Sequence, residues 1–208
     1  MRALVVYCHP RPDSFTAAVR DVILETLQAA GADTRLLDLY AIDFNPIMGH
    51  DELGQHFDTE QNQAGLERHV ADLQWCDTLI FCYPTWWYGL PAMLKGWLDR
   101  AFLPGVAFLM PDSVNSDIRP GLQHITRLGV FTTCGASWWL TRLIGAPGRR
   151  TLLRGVGLLC APRCRKVFLA HYLMDSSTAE SRAKHLTRVA AKMQKFLGVS
   201  QQNKEVTA

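Results

Sequence analysis

The sequence predicts a doubly wound α/β fold: a five-stranded parallel sheet in the order 2-1-3-4-5, with helices on both faces. Three observations carry that expectation. Five short runs read as strands, of which the first (ALVVYC) and third (TLIFCY) are apolar almost throughout, as strands buried on both faces are. Segments with apolar residues at helical spacing separate them. The length, 208 residues with 48% hydrophobic and 20% charged, suits one domain with a core on each side of a sheet.

The elements follow in chain order. Residues 3–8 (ALVVYC) are the first strand. Residues 14–30 are a helix, with Val19, Val22, Ile23, Leu27 and Ala30 on one stripe, Asp13 as its N-cap and Gly31 as its stop. Residues 34–39 are the second strand. A polar stretch over 45–63 holds Pro46 and Gly49, and a helix runs from about Gln63 to Trp75. Residues 78–83 (TLIFCY) are the third strand. Pro91 opens a helix to Phe102, proline being favoured at the first helical position. Residues 103–121 read as irregular, with Pro104-Gly105 and Pro120-Gly121 as turns. Residues 125–132 are the fourth strand, 149–154 a helix and 165–172 the fifth strand. Ser177-x-x-Glu180 reads as a capping box opening a last helix through Leu186, Val189, Ala190, Met193 and Leu197. The domain is expected over 1–198, with a polar tail at 199–208.

Composition excludes several function classes. Twenty-two Lys and Arg against 19 Asp and Glu give a net charge of +3. That balance is neither the dense basic patterning of a nucleic-acid binder nor the acidity of an electron carrier. The six cysteines, Cys8, Cys76, Cys82, Cys134, Cys160 and Cys164, include no CxxC and no zinc spacing. They read as reduced thiols of a cytoplasmic protein. The apolar run near the start is too short for a signal-peptide core, and no stretch reaches the ~20 apolar residues of a spanning helix, so no membrane insertion is expected.

In this topology ligands bind beyond the carboxyl ends of the strands, at the switch point between the first and third. The loops after the first, third and fourth strands should therefore converge. The first, HPRPDSFT, enters a helix N-terminus, where free N–H groups and the dipole favour a phosphate, and Ser14 and Thr16 add hydroxyls. The same residues also fit a plain helix start, and His9 alone fits a loop histidine. The second loop places Trp86, Trp87 and Tyr88 side by side. Flat ligands stack on such a surface, and a subunit interface uses it equally well. The third, Thr132-Thr133-Cys134-Gly135, offers backbone N–H donors before Trp138 and Trp139, or simply makes a tight turn.

Four segments together carry a family resemblance: HPRPDSF, DLYAIDFNPIM, FCYPTWWYGLPAMLKGWLDRAF and TTCG. The chain resembles the flavodoxin-like NAD(P)H:quinone oxidoreductases. These include DT-diaphorase, bacterial modulators of drug activity and ancillary subunits of potassium-efflux antiporters. The similarity runs from Met1 to about Gly135, and the third-strand segment is its most specific part. It implies a flavin, FAD or FMN, at the carboxyl edge, with NAD(P)H as electron donor. It places His9, Ser14, Phe15 and Thr16 near the flavin phosphate. It lays Pro84, Thr85, Trp86, Trp87 and Tyr88 along the ring system, and Thr132, Thr133, Cys134 and Gly135 at the pyrimidine end. It also implies a glutamine contact, from Gln61 or Gln63. The family assists hydride transfer with a tyrosine and a histidine that this chain does not have after TTCG. Tyr88 and Trp139 stand as the candidate catalytic side chains. Arg149 and Arg150 either bind a nucleotide phosphate or form a solvated helix start.

The implied activity is two-electron, ping-pong transfer from NAD(P)H through the flavin to quinones, nitroaromatics or azo compounds. The implied assembly is a homodimer with the site between subunits. The alternative is a flavin-binding ancillary subunit of a membrane antiporter.

Overall fold

A computed structural model describes residues 1–198. The polar tail expected at 199–208 lies outside the described residues. Five parallel strands form the sheet: β1 (Arg2–Tyr7), β2 (Asp33–Asp38), β3 (Thr78–Thr85), β6 (Arg127–Cys134) and β7 (Arg165–His171). Their order is β2-β1-β3-β6-β7. This is the predicted order 2-1-3-4-5, once a two-residue antiparallel ribbon is counted in. That ribbon, β4 (Phe108–Leu109) with β5 (Arg119–Pro120), lies inside the stretch read as irregular.

Strand periodicity divides the core. Leu4 and Val6 of β1, with Leu79, Phe81 and Tyr83 of β3, face one layer. Ala3, Val5, Tyr7, Ile80 and Cys82 face the other. The first layer is covered by α3 (Glu67–Trp75), α4 (Ala92–Ala101) and the helical run of α6 (Pro147–Arg150) and α7 (Gly157–Leu159). A π-helical turn, Thr151–Val156, joins α6 to α7. The second layer is covered by α1 (Phe15–Ala29) and α8 (Ala179–Leu197).

Several boundaries correct the sequence reading. Asp13 does not cap α1. Ser14 does, its hydroxyl accepting the Ala17 N–H at 3.1 Å, while Asp13 pairs with Arg11 at 2.7 Å. Gly31 follows the helix with φ +66°, the left-handed conformation expected just past a helix end. The box opening α8 is one residue later than read: Thr178 is the N-cap and Ser181 reciprocates, where Ser177 and Glu180 were expected. Pro91 is the N-cap of α4 rather than its first helical residue. The helix before β3 starts at Glu67, because residues 58–66 form successive turns. Two short helices, α2 (His50–Gln55) and α5 (Trp138–Leu143), fall in stretches read as loop.

Candidate functional site

Parallel pairing brings every strand's carboxyl end to one edge, and a cleft opens there. Its volume is about 520 Å³. His9 enters from the segment after β1. Pro84 and Thr85 come from the end of β3, and Trp86, Trp87 and Tyr88 from the turn after it. Thr133 and Cys134 end β6, and Gly135, Ala136 and Leu140 follow. Met174 and Asp175, from the turn after β7, complete the lining.

The aromatic turn is held by its own backbone. The Gly89 N–H donates to Trp86 O at 3.0 Å, and Trp86 and Gly89 form an isolated bridge. Trp87 and Tyr88 between them have φ +48° and +62°. Consecutive positive φ is the pattern of a type I′ turn, a shape that ordinarily selects Asn-Gly. Trp87 is 93% exposed. The turn thus holds its rings in the open, at the lip of the cleft.

His9 is oriented by the chain. The Arg11 N–H donates to His9 Nδ1 at 3.0 Å, which assigns the ring proton to Nε2. Burial holds the imidazole below its ordinary pKa, so the ring is a neutral donor at physiological pH. Threonines tie the strands together beneath the cleft. Thr85 and Thr132 hydroxyls lie 2.8 Å apart, and Thr16 and Thr133 hydroxyls 3.0 Å apart. Cys134 Sγ sits 3.7 Å from the Thr141 hydroxyl and is buried. Thr132 faces a small adjoining cavity with Tyr83, Arg149 and Tyr172.

Gly135 marks a close approach. A Cβ there would stand 2.5 Å from Asp175 Oδ2, so the carboxylate fills the space a side chain would need. Gly135 thus leaves bare backbone beside the Asp175 carboxylate. The cleft thus combines aromatic rings, the Gly135 backbone and the Asp175 carboxylate, groups that suit a flat, polar-edged ring system.

A second cavity of about 600 Å³ lies across the 174–176 turn. Trp138, His171, Lys184, His185 and Arg188 are among its lining. His171 and His185 stack edge-on at 4.9 Å, and Phe15 packs against both. His171 Nδ1 is buried without a hydrogen-bond partner. The hollow it borders is basic, lined by Lys184 and Arg188.

The expected residues divide as follows. His9, Pro84, Thr85, Trp86, Trp87, Tyr88, Thr133, Cys134 and Gly135 meet in the cleft, and Thr132 lies in the cavity adjoining it. Ser14 caps α1, and helix geometry gives the N–H groups of Phe15 and Thr16 no acceptor inside the helix. Phe15 packs towards the second cavity instead of the cleft. Gln61 is not in the cleft: it is exposed and donates to Asp58 at 2.6 Å. Gln63 is half-buried and outside the cleft lining. Trp139 is 63% exposed and stands outside the cleft lining. Arg149 leans over the Phe168 ring at 5.3 Å, and Arg150 is exposed. Sequence reasoning missed Met174 and Asp175, although the topology places the loop after the fifth strand at this same edge.

Among the described residues no helix is long and apolar enough to cross a membrane, and no cluster of His, Cys, Asp or Glu could hold a metal ion.

Comparison with known proteins gives a consistent result. Residues 1–196 match the family model described as a flavodoxin-like fold. A ribosyldihydronicotinamide dehydrogenase [quinone] from Pongo abelii is 30% identical over 157 residues, covering 68% of this chain and 67% of that protein. The structure of Smu.1420 from Streptococcus mutans superposes with a TM-score of 0.79 at 25% identity, over 94% of this chain and 100% of that one. An NAD(P)H:quinone oxidoreductase from Methanothermobacter marburgensis shares the fold, with a TM-score of 0.77 at 24% identity over 93% and 98% of the two chains.

Proposed function

This chain belongs to the flavodoxin-like family, and from that premise we propose that it is a flavin-dependent NAD(P)H:quinone oxidoreductase. The observation that carries the reading is the cleft itself. An aromatic turn and the Thr133–Gly135 segment line one cleft at the carboxyl edge of a parallel sheet, in a chain whose relatives are named as quinone dehydrogenases. Nothing particular to the structure favours the alternative of an antiporter's ancillary subunit.

Flavin, when bound, supplies two-electron chemistry, accepting hydride from NAD(P)H and reducing a quinone, nitroaromatic or azo acceptor in turn. The chain's own residues do the rest. Trp86, Trp87 and Tyr88 supply a stacking surface for flat rings. The Thr133–Gly135 backbone and the His9 Nε2 proton are preorganised donors for the charge that accumulates on a reduced ring. Asp175 is an acceptor for a ring N–H. Tyr88, in the cleft lining, borders the approach of the second substrate. The start of α1 cradles phosphate with the N–H groups of Phe15 and Thr16.

FAD fits this reading better than FMN. The second cavity gives an adenosine half a place, with Lys184 and Arg188 as phosphate partners. A homodimer also follows: Trp87, Trp139 and Leu143 are exposed apolar groups near the cleft, and a second copy would roof it. Six free thiols suit the reducing cytoplasm.

The test is a visible spectrum of the purified protein under anaerobic conditions. A flavin band that bleaches on NADPH and returns on adding a quinone supports the enzyme. A flavin band that stays oxidised with both NADH and NADPH overturns it. Acid release followed by chromatography distinguishes FAD from FMN. Light scattering that finds a fully active monomer refutes the dimer.

A further inference from the structure

Two left-handed corners meet beside the cleft. Trp87 and Tyr88 form one. Gly145 and Ala146 form the other, with φ +95° and +48°, and the Ala146 N–H donates to Thr141 O at 2.8 Å. Glycine accepts such backbone freely, whereas alanine holds it only where the surroundings dictate the conformation. The second corner brings α6 against the first. Pro147 opens that helix, and Gly148 follows in its first turn, buried. A Cβ at Gly148 would stand 3.3 Å from Gly89 C, 3.5 Å from Gly89 Cα and 3.3 Å from the Tyr83 hydroxyl. The start of α6 thus lies backbone to backbone against the residue that closes the aromatic turn. Helix propensity favours alanine over glycine, so the bare Cα suits this approach and not the helix.

The two neighbours of Gly148 differ in how far they yield. Tyr83 is 1% exposed and packed within a core layer, whereas Gly89 is half-buried on a turn. Close-packed interiors resist displacement, so a side chain at position 148 moves the turn first. The turn moves as a unit, because the Gly89 N–H bond to Trp86 O ties its base. Trp87 and Tyr88 ride on it. Tyr88 lines the cleft and also borders the small cavity that Gly148 helps to close.

We propose that Gly148 is a positioning residue for the aromatic turn. Its bare Cα seats Gly89 directly against α6. That seat fixes where Trp87 and Tyr88 stand, and so how tightly the cleft holds a flat second substrate, a quinone. The substrate half rests on the quinone-reductase reading above; the seat does not. A methyl at position 148 requires the turn to give by a few tenths of an ångström, and an isopropyl requires more.

The test compares Gly148→Ala and Gly148→Val with Gly155→Ala. Gly155 lies in the π-helical turn of the same helical run, with nothing within 4 Å of a Cβ there. The first readout needs neither flavin nor turnover. The Trp87 and Tyr88 rings, 6.1 Å apart and tilted by 60°, form a coupled pair whose near-ultraviolet circular dichroism reports their placement. The spectrum of the apo protein should change in both Gly148 variants and stay as wild type in Gly155→Ala. In a Trp87→Phe background the change should be lost. The second readout is steady-state kinetics of the flavin-loaded protein with a naphthoquinone. KM should rise about threefold in Gly148→Ala and about tenfold in Gly148→Val, with kcat within about twofold, since stacking holds the ring alike in ground and transition states. Unchanged spectra in the Gly148 variants, or an equal change in Gly155→Ala, overturn the seat. Changed spectra with an unchanged KM overturn its role towards the substrate. A wild-type protein that reduces no quinone refutes the reductase reading, and the spectra still decide the seat. Gly148→Ala decides both halves if Gly148→Val fails to fold.

Discussion

Trp87 and Tyr88 both hold left-handed backbone, with φ +48° and +62°. For bulky side chains that conformation costs about 1–3 kcal/mol. Trp87 buries almost nothing in return, so its placement serves whatever it meets in the cleft. Trp87→Asn should therefore stabilise the apo protein by about 1 kcal/mol, since Asn accepts this conformation readily. That is a rise of roughly 2–4 °C in Tm for a chain of this size. The same change should weaken flavin binding by about threefold to tenfold through lost stacking. Thermal melts of apo protein and a flavin fluorescence titration check the two halves separately. The aromatic run was legible in the sequence because three adjacent rings on a loop have no place in a core. Its strained turn was not, because Trp-Tyr carries none of the Asn or Gly that announces positive φ. Asp13 was misread for a related reason. Asp and Ser are both good N-caps, and the Arg11 side chain that draws Asp13 away acts only in three dimensions.

Helices and strands with strong periodicity were legible; short ones were not. All five sheet strands appear within a residue or two of the runs read from the sequence; β1, β3 and β6 carry the mark of burial on both faces, whereas β2 at the sheet edge buries only Leu37. Helices α2 and α5 are six residues each, too short for a periodic stripe to register. Residue-level packing decides what propensity cannot. Gly96 sits in the middle of α4, where alanine would ordinarily be worth about 1 kcal/mol more. A Cβ at Gly96 would stand 2.2 Å from Pro46 O and 2.6 Å from Pro46 Cα. Backbone cannot step aside as a flexible side chain can. Gly96→Ala should thus destabilise the fold by about 1–3 kcal/mol despite its better propensity. Urea denaturation checks the sign, and an unchanged or raised midpoint would refute the contact. The cap of α1 offers a milder case. Ser14→Ala removes the acceptor for the Ala17 N–H and should cost about 1 kcal/mol in the same assay.

Across the whole molecule, three buried histidines, His69, His171 and His185, make stability sensitive to acid. His69 lies in one core layer, with the Trp97 indole N–H 3.3 Å from its Nδ1, and His185 lies in the other layer against His171. Burial lowers all three pKa values from the ordinary 6.5, that of His185 to about 4. On unfolding each regains its ordinary value, so below about pH 6.5 the unfolded chain binds more protons than the folded one. Stability is therefore full above about pH 6.5 and falls as pH drops towards 4. A Tm series across that window should slope downward with acid, and His185→Gln should flatten it. The topology that sets these layers was the most legible feature of all, since alternation of strand and helix admits few arrangements. It also dictates a schedule. All four pairings in the sheet are parallel, so every neighbour of a strand arrives only after a long excursion of chain: Ala3 waits for Thr78, and Thr78 for Arg127. On the ribosome, the β2-β1-β3 half is complete once residue 85 has emerged, yet β3 then offers a bare edge until β6 ends at Cys134. At the usual pace of synthesis that exposure lasts roughly 2–10 s. For that interval the nascent chain presents an apolar, unpaired strand, and its yield in the cell depends on what shields that edge.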